Sequence, residues 1–196
     1  MRRTFFSFHY DRDHWRAWQV RNSWVTKGDR ESRGFFDSSV FESKKRTSDA
    51  ALKEFLRTGL KNCGVTCVLA GSQTAHRRWV RYELVRSFMA GKGILCAKIH
   101  RRKNSAGAVD TAGPNPLDQL AFVVTGDRIS FKEMKNGTWV PYTDAPSLAR
   151  REVPYALGSK TNHTFATLFS TYDYVTEDGY NNLGRWIETA ARQAGR

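Results

Sequence analysis

The chain has 196 residues and a formal net charge of +13, and it carries six Trp, seven Tyr and twelve Phe. That length and aromatic content suit one domain with a real hydrophobic core and exclude a globally disordered chain, while no run approaches the ~20 apolar residues of a membrane span. The basic balance points to anionic partners, nucleotides or polyanions, with a plain solvated basic surface as the alternative.

The start Met1-Arg2-Arg3-Thr4-Phe5-Phe6 has paired arginines, but His9, Asp11, Arg12 and Asp13 interrupt any apolar leader. Thr4 to Phe8 reads as a first buried strand. A helix follows from Asp11 to about Trp24, although Trp15, Trp18 and Val25 give it only a ragged apolar face. Residues 26–33 are charged and read as a loop, and Gly34-Phe35-Phe36-Asp37 reads as a short second strand. Ser48 is a good N-cap for a helix carrying Leu52, Phe55 and Leu56, with Gly59 at its C′ position.

Val65 to Ala70 is a near-continuous apolar run between Gly64 and Gly71, the pattern of a central parallel strand buried on both faces. A helix from about Thr74 to Ala90 follows, with Val80, Leu84 and Phe88 as its core stripe and Trp79, Glu83 and Arg86 beside it. Ile94 to Ile99 is the next strand. The alternation of strands and helices predicts an α/β fold, a flavodoxin-like doubly wound parallel sheet. Residues 101–115 form a long basic, then Gly/Ala/Pro-rich loop. Ala121 to Thr125 is a fifth strand, and Lys135-Asn136-Gly137 predicts a β-hairpin between 128–134 and 138–142. Two helices are expected to close the chain. Phe165, Leu168, Phe169 and Tyr172 mark one, and Leu183, Trp186, Ile187 and Ala190 mark the other. The whole of 1–196 is read as a single domain, with a core over about 1–125 and the hairpin and helices over about 126–196.

Cys63, Cys67 and Cys96 are odd in number, lie partly in apolar runs and lack metal-ligand spacing. They read as free buried thiols in a reducing compartment, and the protein is expected to be cytoplasmic with no bound metal. The segment Trp79-Val80-Arg81-Tyr82-Glu83 places an indole and a carboxylate on one helical face, just after a strand's carboxyl end. Ligands bind at that edge of open α/β sheets. An acid beside an aromatic there is a candidate site for a charged, aromatic small molecule. From spacing alone, Glu83 reads more plainly as a surface carboxylate paired with Arg78 or Arg86.

The ordered set of motifs reverses that preference. The chain resembles TIR domains, and most closely the TIR-like ThsB proteins of bacterial Thoeris antiphage systems. Phe5-Phe6-Ser7-Phe8-His9-Tyr10 is similar to the TIR first strand with its Ser-Phe ending. Gly34-Phe35-Phe36-Asp37 is similar to the second strand, Val65 to Thr74 to the third strand and its turn, and Trp79 to Glu83 to the WxxxE of NAD-cleaving members. Gly113-Pro114-Asn115-Pro116 and Asp178-Gly179-Tyr180-Asn181 are similar to this subfamily in particular. One departure is His9, where many TIR domains carry Arg. The resemblance implies NAD as substrate rather than a bound cofactor, and Glu83 as the catalytic acid. It implies release of nicotinamide, a cyclic ADP-ribose isomer as product, and a partner effector that senses that product. A phage-derived trigger and self-association are further expectations.

The chemistry is consistent with one carboxylate. Nicotinamide leaves NAD as a neutral molecule, so no general acid is required. Positive charge moves from the pyridinium to the ribose, giving an oxocarbenium-like transition state that a fixed carboxylate stabilises. Trp79 would wall the pocket while packing on the core. Ser7 would bond a ribose or phosphate, or merely a strand-end turn. Phe8, His9 and Tyr10 lie on the same edge and would stack on or orient a nucleotide, and Asp37 is a second-tier candidate. The basic run Lys44-Lys45-Arg46 borders the pocket or is simply solvated. No GxGxxG, Walker A, HExxH or GxSxG motif occurs. The alternatives are a non-catalytic TIR-like adaptor acting by self-association, and, with less support, a nucleic-acid-binding module.

Overall fold

The computed structural model describes residues 3–25 and 48–196. The expected second strand with Asp37, and the basic run at 44–46, lie outside the described residues. Two sheets organise the described residues. The first is parallel and has the order β1-β2-β3-β9, formed by Thr4–Phe8, Val65–Ala70, Gly93–Lys98 and Ser170–Asp173. The second is antiparallel and runs β6-β5-β4-β8, with β7 also paired to β5. Its strands are β4 (Leu120–Thr125), β5 (Arg128–Lys135), β6 (Thr138–Pro141), β7 (Leu148–Ala149) and β8 (Asn162–Thr164).

The alternation of side chains across each strand divides the parallel sheet into two buried faces. Phe6, Cys67, Leu69, Leu95 and Ala97 face one way. They pack on Ala17, Val20 and Trp24 of α1 (Tyr10–Val25) and on Leu183, Trp186 and Ile187 of α4 (Gly179–Gln193). The other face splits. Phe5 meets Leu52 and Leu56 of α2 (Asp49–Lys61) together with Tyr82. Val68, Ile94 and Cys96 meet Val80, Leu84 and Phe88 of α3 (Arg78–Met89), which in turn packs on the antiparallel sheet. All three cysteines are free and buried, as expected.

Local chemistry explains the element ends. The Ser48 side chain accepts a hydrogen bond from the Ala51 amide, capping α2 as its sequence predicts. That helix runs two residues past the expected stop at Gly59 and ends at Lys61 with Asn62 as its C-cap. Asn136 and Gly137 both take positive φ, 50° and 78°, and make the tight turn between β5 and β6. Gly93 permits close docking of α4, since a Cβ there would sit 2.7 Å from the Ala190 backbone.

Three expectations are corrected. The helix expected around Phe165–Tyr172 is absent. Those residues form a short 3-10 turn, Phe165–Thr167, and then strand β9. Phe165 enters the core beside Phe88 from this turn and Phe169 from the bend just after it, and those contacts account for their helix-like spacing. The strand at 120–125 exists but pairs antiparallel with β5 and β8, so the place beside β3 belongs to β9. The helix expected from Thr74 starts at Arg78, because Thr74–His76 forms a separate 3-10 turn. The ragged face of α1 has its own cause. Its buried positions include the ion pair Asp13–Arg16, while Trp15 and Trp18 lie exposed and stacked on each other.

Phe88 ties α3 to the antiparallel sheet through ring contacts with Phe122, Phe131, Tyr155, Phe165 and Phe169. Truncation to Ala leaves a cavity where five rings meet. Phe88→Ala is expected to lower unfolding free energy by about 3–5 kcal/mol in denaturant titration, and a loss below about 1 kcal/mol would refute this role.

Candidate functional site

The parallel strands carry their carboxyl ends to one edge, and α3 rises from that edge after the turn following β2. Ser7 lies on the α3-facing side of β1, opposite Val68. One and a half turns into α3, Glu83 reaches back, and the Ser7 hydroxyl donates a hydrogen bond to Glu83 Oε2. Both residues are buried, with 2% and 5% of their surfaces exposed. Burial pushes the Glu83 carboxyl up to about 8, and the Ser7 hydrogen bond opposes that rise without cancelling it. The ligand-free site therefore holds a mostly neutral carboxylic acid at pH 7.

A cavity of about 320 Å³ opens beside this pair. Glu83 and Trp79 line it from α3, and Phe8, His9 and Tyr10 line it from the end of β1 and the start of α1. Trp79 is half-buried, with its edge against Tyr82 at 5.9 Å and the Arg78 guanidinium 4.7 Å over its ring. It both packs on the core and walls the cavity. Tyr10 stacks on His14 and lies tilted 6.1 Å from Phe8. His9 is 5% exposed, and burial, reinforced by Arg77, lowers its pKa. Its Nε2 accepts a hydrogen bond from Arg77, its Nδ1 is buried without a partner, and the Asp11 carboxylate lies 3.6 Å from Nε2.

The rim is anchored by polar contacts. Buried Asp13 pairs with Arg16 and accepts a hydrogen bond from Thr74, whose hydroxyl in turn accepts from the Gly71 amide at 2.9 Å. Gly71 is required here, because a Cβ would fall 2.2 Å from the Asp13 carboxylate. Arg12 and Ser72 both donate to Asp110, tying the long loop after β3 to α1. On the other side, the buried ion pair Arg81–Glu133, at 2.7 Å, holds α3 to β5. A larger cleft of about 560 Å³ lies at the amino end of the sheet and is lined by Arg57, Lys61, Arg86, Lys92 and Arg196. Its cations are partly occupied: Arg196 and Lys92 cap backbone carbonyls, and Arg57 pairs with Glu54. The acid among its described lining residues, Glu54, is exposed.

Residues 5–104 match the family described as Thoeris protein ThsB, TIR-like domain. The chain belongs to this family. It is also 41% identical over 190 residues to a Bacillus cereus (strain MSX-D12) protein named "Putative cyclic ADP-D-ribose synthase ThsB1", a match spanning 95% of this chain and 98% of that relative.

Within this ThsB TIR-like chain, the structure gathers Ser7, Phe8, His9, Tyr10, Trp79 and Glu83 around one cavity edge, and Asp37 lies outside the described residues. The sequence reading of Glu83 as a partner of Arg78 or Arg86 is corrected. Arg78 instead pairs with Asp144 and Asp49, and Arg86 contacts Met89. Sequence reasoning missed Asp11, His76 and Arg77, which also line the cavity. A signal was present for Arg77, because a cation at a helix N-cap opposes both capping preference and the helix dipole.

A buried acid whose pKa is raised in the fold works against stability when it ionises. Between its ordinary value of 4.5 and about 8, the folded state holds the proton that the unfolded chain releases, so stability falls as pH rises. Above about 8 the whole cost is present. Gln keeps an acceptor for Ser7 and cannot ionise. Glu83→Gln should therefore raise the melting temperature at pH 9 by about 3 °C or more relative to its effect at pH 5. An equal effect at both pH values would refute the burial argument.

Proposed function

We propose that this protein is a TIR-type NAD-cleaving cyclase. It breaks the bond between nicotinamide and ribose and closes the ADP-ribose remainder into a cyclic isomer. The observation that carries this reading is the buried Ser7–Glu83 pair at the mouth of a cavity walled by Trp79. The family membership and the printed name of the Bacillus cereus relative support the same activity.

The geometry suits the reaction. Departing nicotinamide takes the bonding electron pair and leaves as a neutral ring, so the protein need only stabilise the cation that develops on the ribose. Glu83 sits in a low-dielectric recess, where one fixed charge contributes about 3–4 kcal/mol to the transition state. Burial alone keeps that carboxyl mostly protonated at pH 7. NAD brings a pyridinium cation into the recess, which favours the carboxylate by direct attraction. Ser7 orients the carboxyl through its hydrogen bond. Trp79, Phe8 and Tyr10 offer flat surfaces to the nicotinamide and adenine rings. Shielding by these rings disfavours water as the nucleophile and leaves the substrate's own adenine or ribose to close the ring.

A diffusible cyclic nucleotide needs a receptor, so the reading includes an effector protein that senses the product, with a phage-derived trigger upstream and self-association as an additional feature. No helix among the described residues is long and apolar enough to cross a membrane.

Mass spectrometry of the protein with NAD tests the reading. Free nicotinamide should appear with a product one water lighter than ADP-ribose. Glu83→Gln should lower the rate by about 10²–10³-fold, and a variant that cleaves NAD and protects infected cells like the wild type would refute the reading. The ionised carboxyl is the active form, so kcat/KM should rise with pH and level off above about 8. A rate that falls across that range would contradict the role of Glu83.

A further inference from the structure

The cavity beside Glu83 is lined by two arginines, and their surroundings differ. Arg78 is saturated: its guanidinium pairs with Asp144 and Asp49 and lies over Trp79. Among the described residues, Arg77 makes a side-chain hydrogen bond only to the His9 ring and has no carboxylate in contact. It is exposed and lines the cavity.

Two further features converge on the same place. Arg77 is the N-cap residue of α3, and no side chain of the described residues caps that helix. The amino end of this twelve-residue helix is thus left to solvent or ligand, with no acidic side chain in its first turn. Independently, His9 is buried and its Nδ1 has no partner. Since Nε2 accepts from Arg77, the ring proton of the neutral imidazole resides on Nδ1. A guanidinium held by the His9 ring, with no carboxylate in hydrogen-bond contact among the described residues, and an open helix amino end beside it both favour an oxyanion. Asp11 is the opposing charge at this rim, and it is largely exposed.

The position suits a particular anion. Glu83 lies six positions after Arg77, about 9 Å along the helix axis. In NAD the ribose carries nicotinamide at its 1′ carbon and the pyrophosphate at its 5′ oxygen. An anion seat for that group must lie one sugar's width from the carboxylate that faces the 1′ carbon.

We propose that Arg77, supported by His9 and the uncapped amino end of α3, binds the pyrophosphate of NAD and makes the site select phosphorylated over unphosphorylated nicotinamide ribosides. The proposal rests on the NAD-cleaving reading of the same site. It assigns Arg77 a binding role and leaves bond cleavage to Glu83.

Calorimetric titration in the Glu83→Gln background tests this, because that protein should bind substrate without consuming it. NAD and nicotinamide riboside are the two probes. Adding Arg77→Gln should weaken NAD binding by roughly 10–100-fold, the scale of a lost charge-assisted contact, and leave nicotinamide riboside unchanged. Adding Arg77→Lys should restore much of the NAD affinity, because the charge returns without the fork. Increasing salt should weaken NAD binding more when Arg77 is present than when it is Gln. Unchanged NAD affinity in Arg77→Gln would overturn the proposal, and so would equal weakening of both probes, which would mark a structural role. Failure of the Glu83→Gln protein, with Arg77 intact, to bind either probe would overturn the NAD reading itself and this inference with it.

Discussion

Ionising a carboxyl inside a protein is unfavourable, and the surroundings of Glu83 are organised around that fact. The residue is buried on α3, and among the described residues it bonds one serine and pairs with no cation. Desolvation holds the proton on, and among the described residues the Ser7 hydroxyl pulls the other way. A structural acid would have been paired or exposed. The nearby arginines instead serve other partners: Arg78 goes to Asp144 and Asp49, and Arg81 goes to Glu133. This leaves Glu83 as an acid whose charge appears when a cation arrives beside it.

Rigidity at this point comes from three directions. The parallel sheet fixes Ser7 through the register of β1 on β2. Phe88 and the Arg81–Glu133 pair fix α3 against the antiparallel sheet. The Asp13–Thr74–Gly71 chain and the Arg12–Asp110–Ser72 contacts fix the turn after β2 and the loop after β3. The second sheet thus serves the site by bracing the far side of the helix that carries Glu83.

Much of this was legible in the sequence where a local rule sufficed. β1, β2 and β3 announced themselves as apolar runs, the Ser48 cap and the Asn136-Gly137 turn by residue chemistry, and Trp79 and Glu83 by helical spacing. The ordered resemblance then separated Glu83 from an ordinary surface acid. What failed depended on long-range partners. Phe165, Phe169 and Tyr172 share a helical spacing, but the first two point at Phe88 from a 3-10 turn and the bend after it, and Tyr172 stacks on Trp186 from a strand. A strand such as 120–125 carries no mark of which sheet it will join. The roles of Arg77 and His9 follow from one fact invisible in the chain order, that residues 68 apart place guanidinium and imidazole in contact.

The central claim is that Glu83 waits as a neutral acid and ionises against the substrate's cation. The direct measurement is the titration of that one carboxyl by carbon-13 NMR, assigned by difference from Glu83→Gln. It would be run on the free protein and on its complex with a carbocyclic NAD analogue that binds but does not cleave. The account predicts a midpoint near 8 in the free protein and a clearly lower one in the complex. A midpoint in the ordinary carboxylate range without ligand, or one that the cationic analogue leaves unmoved, would contradict it.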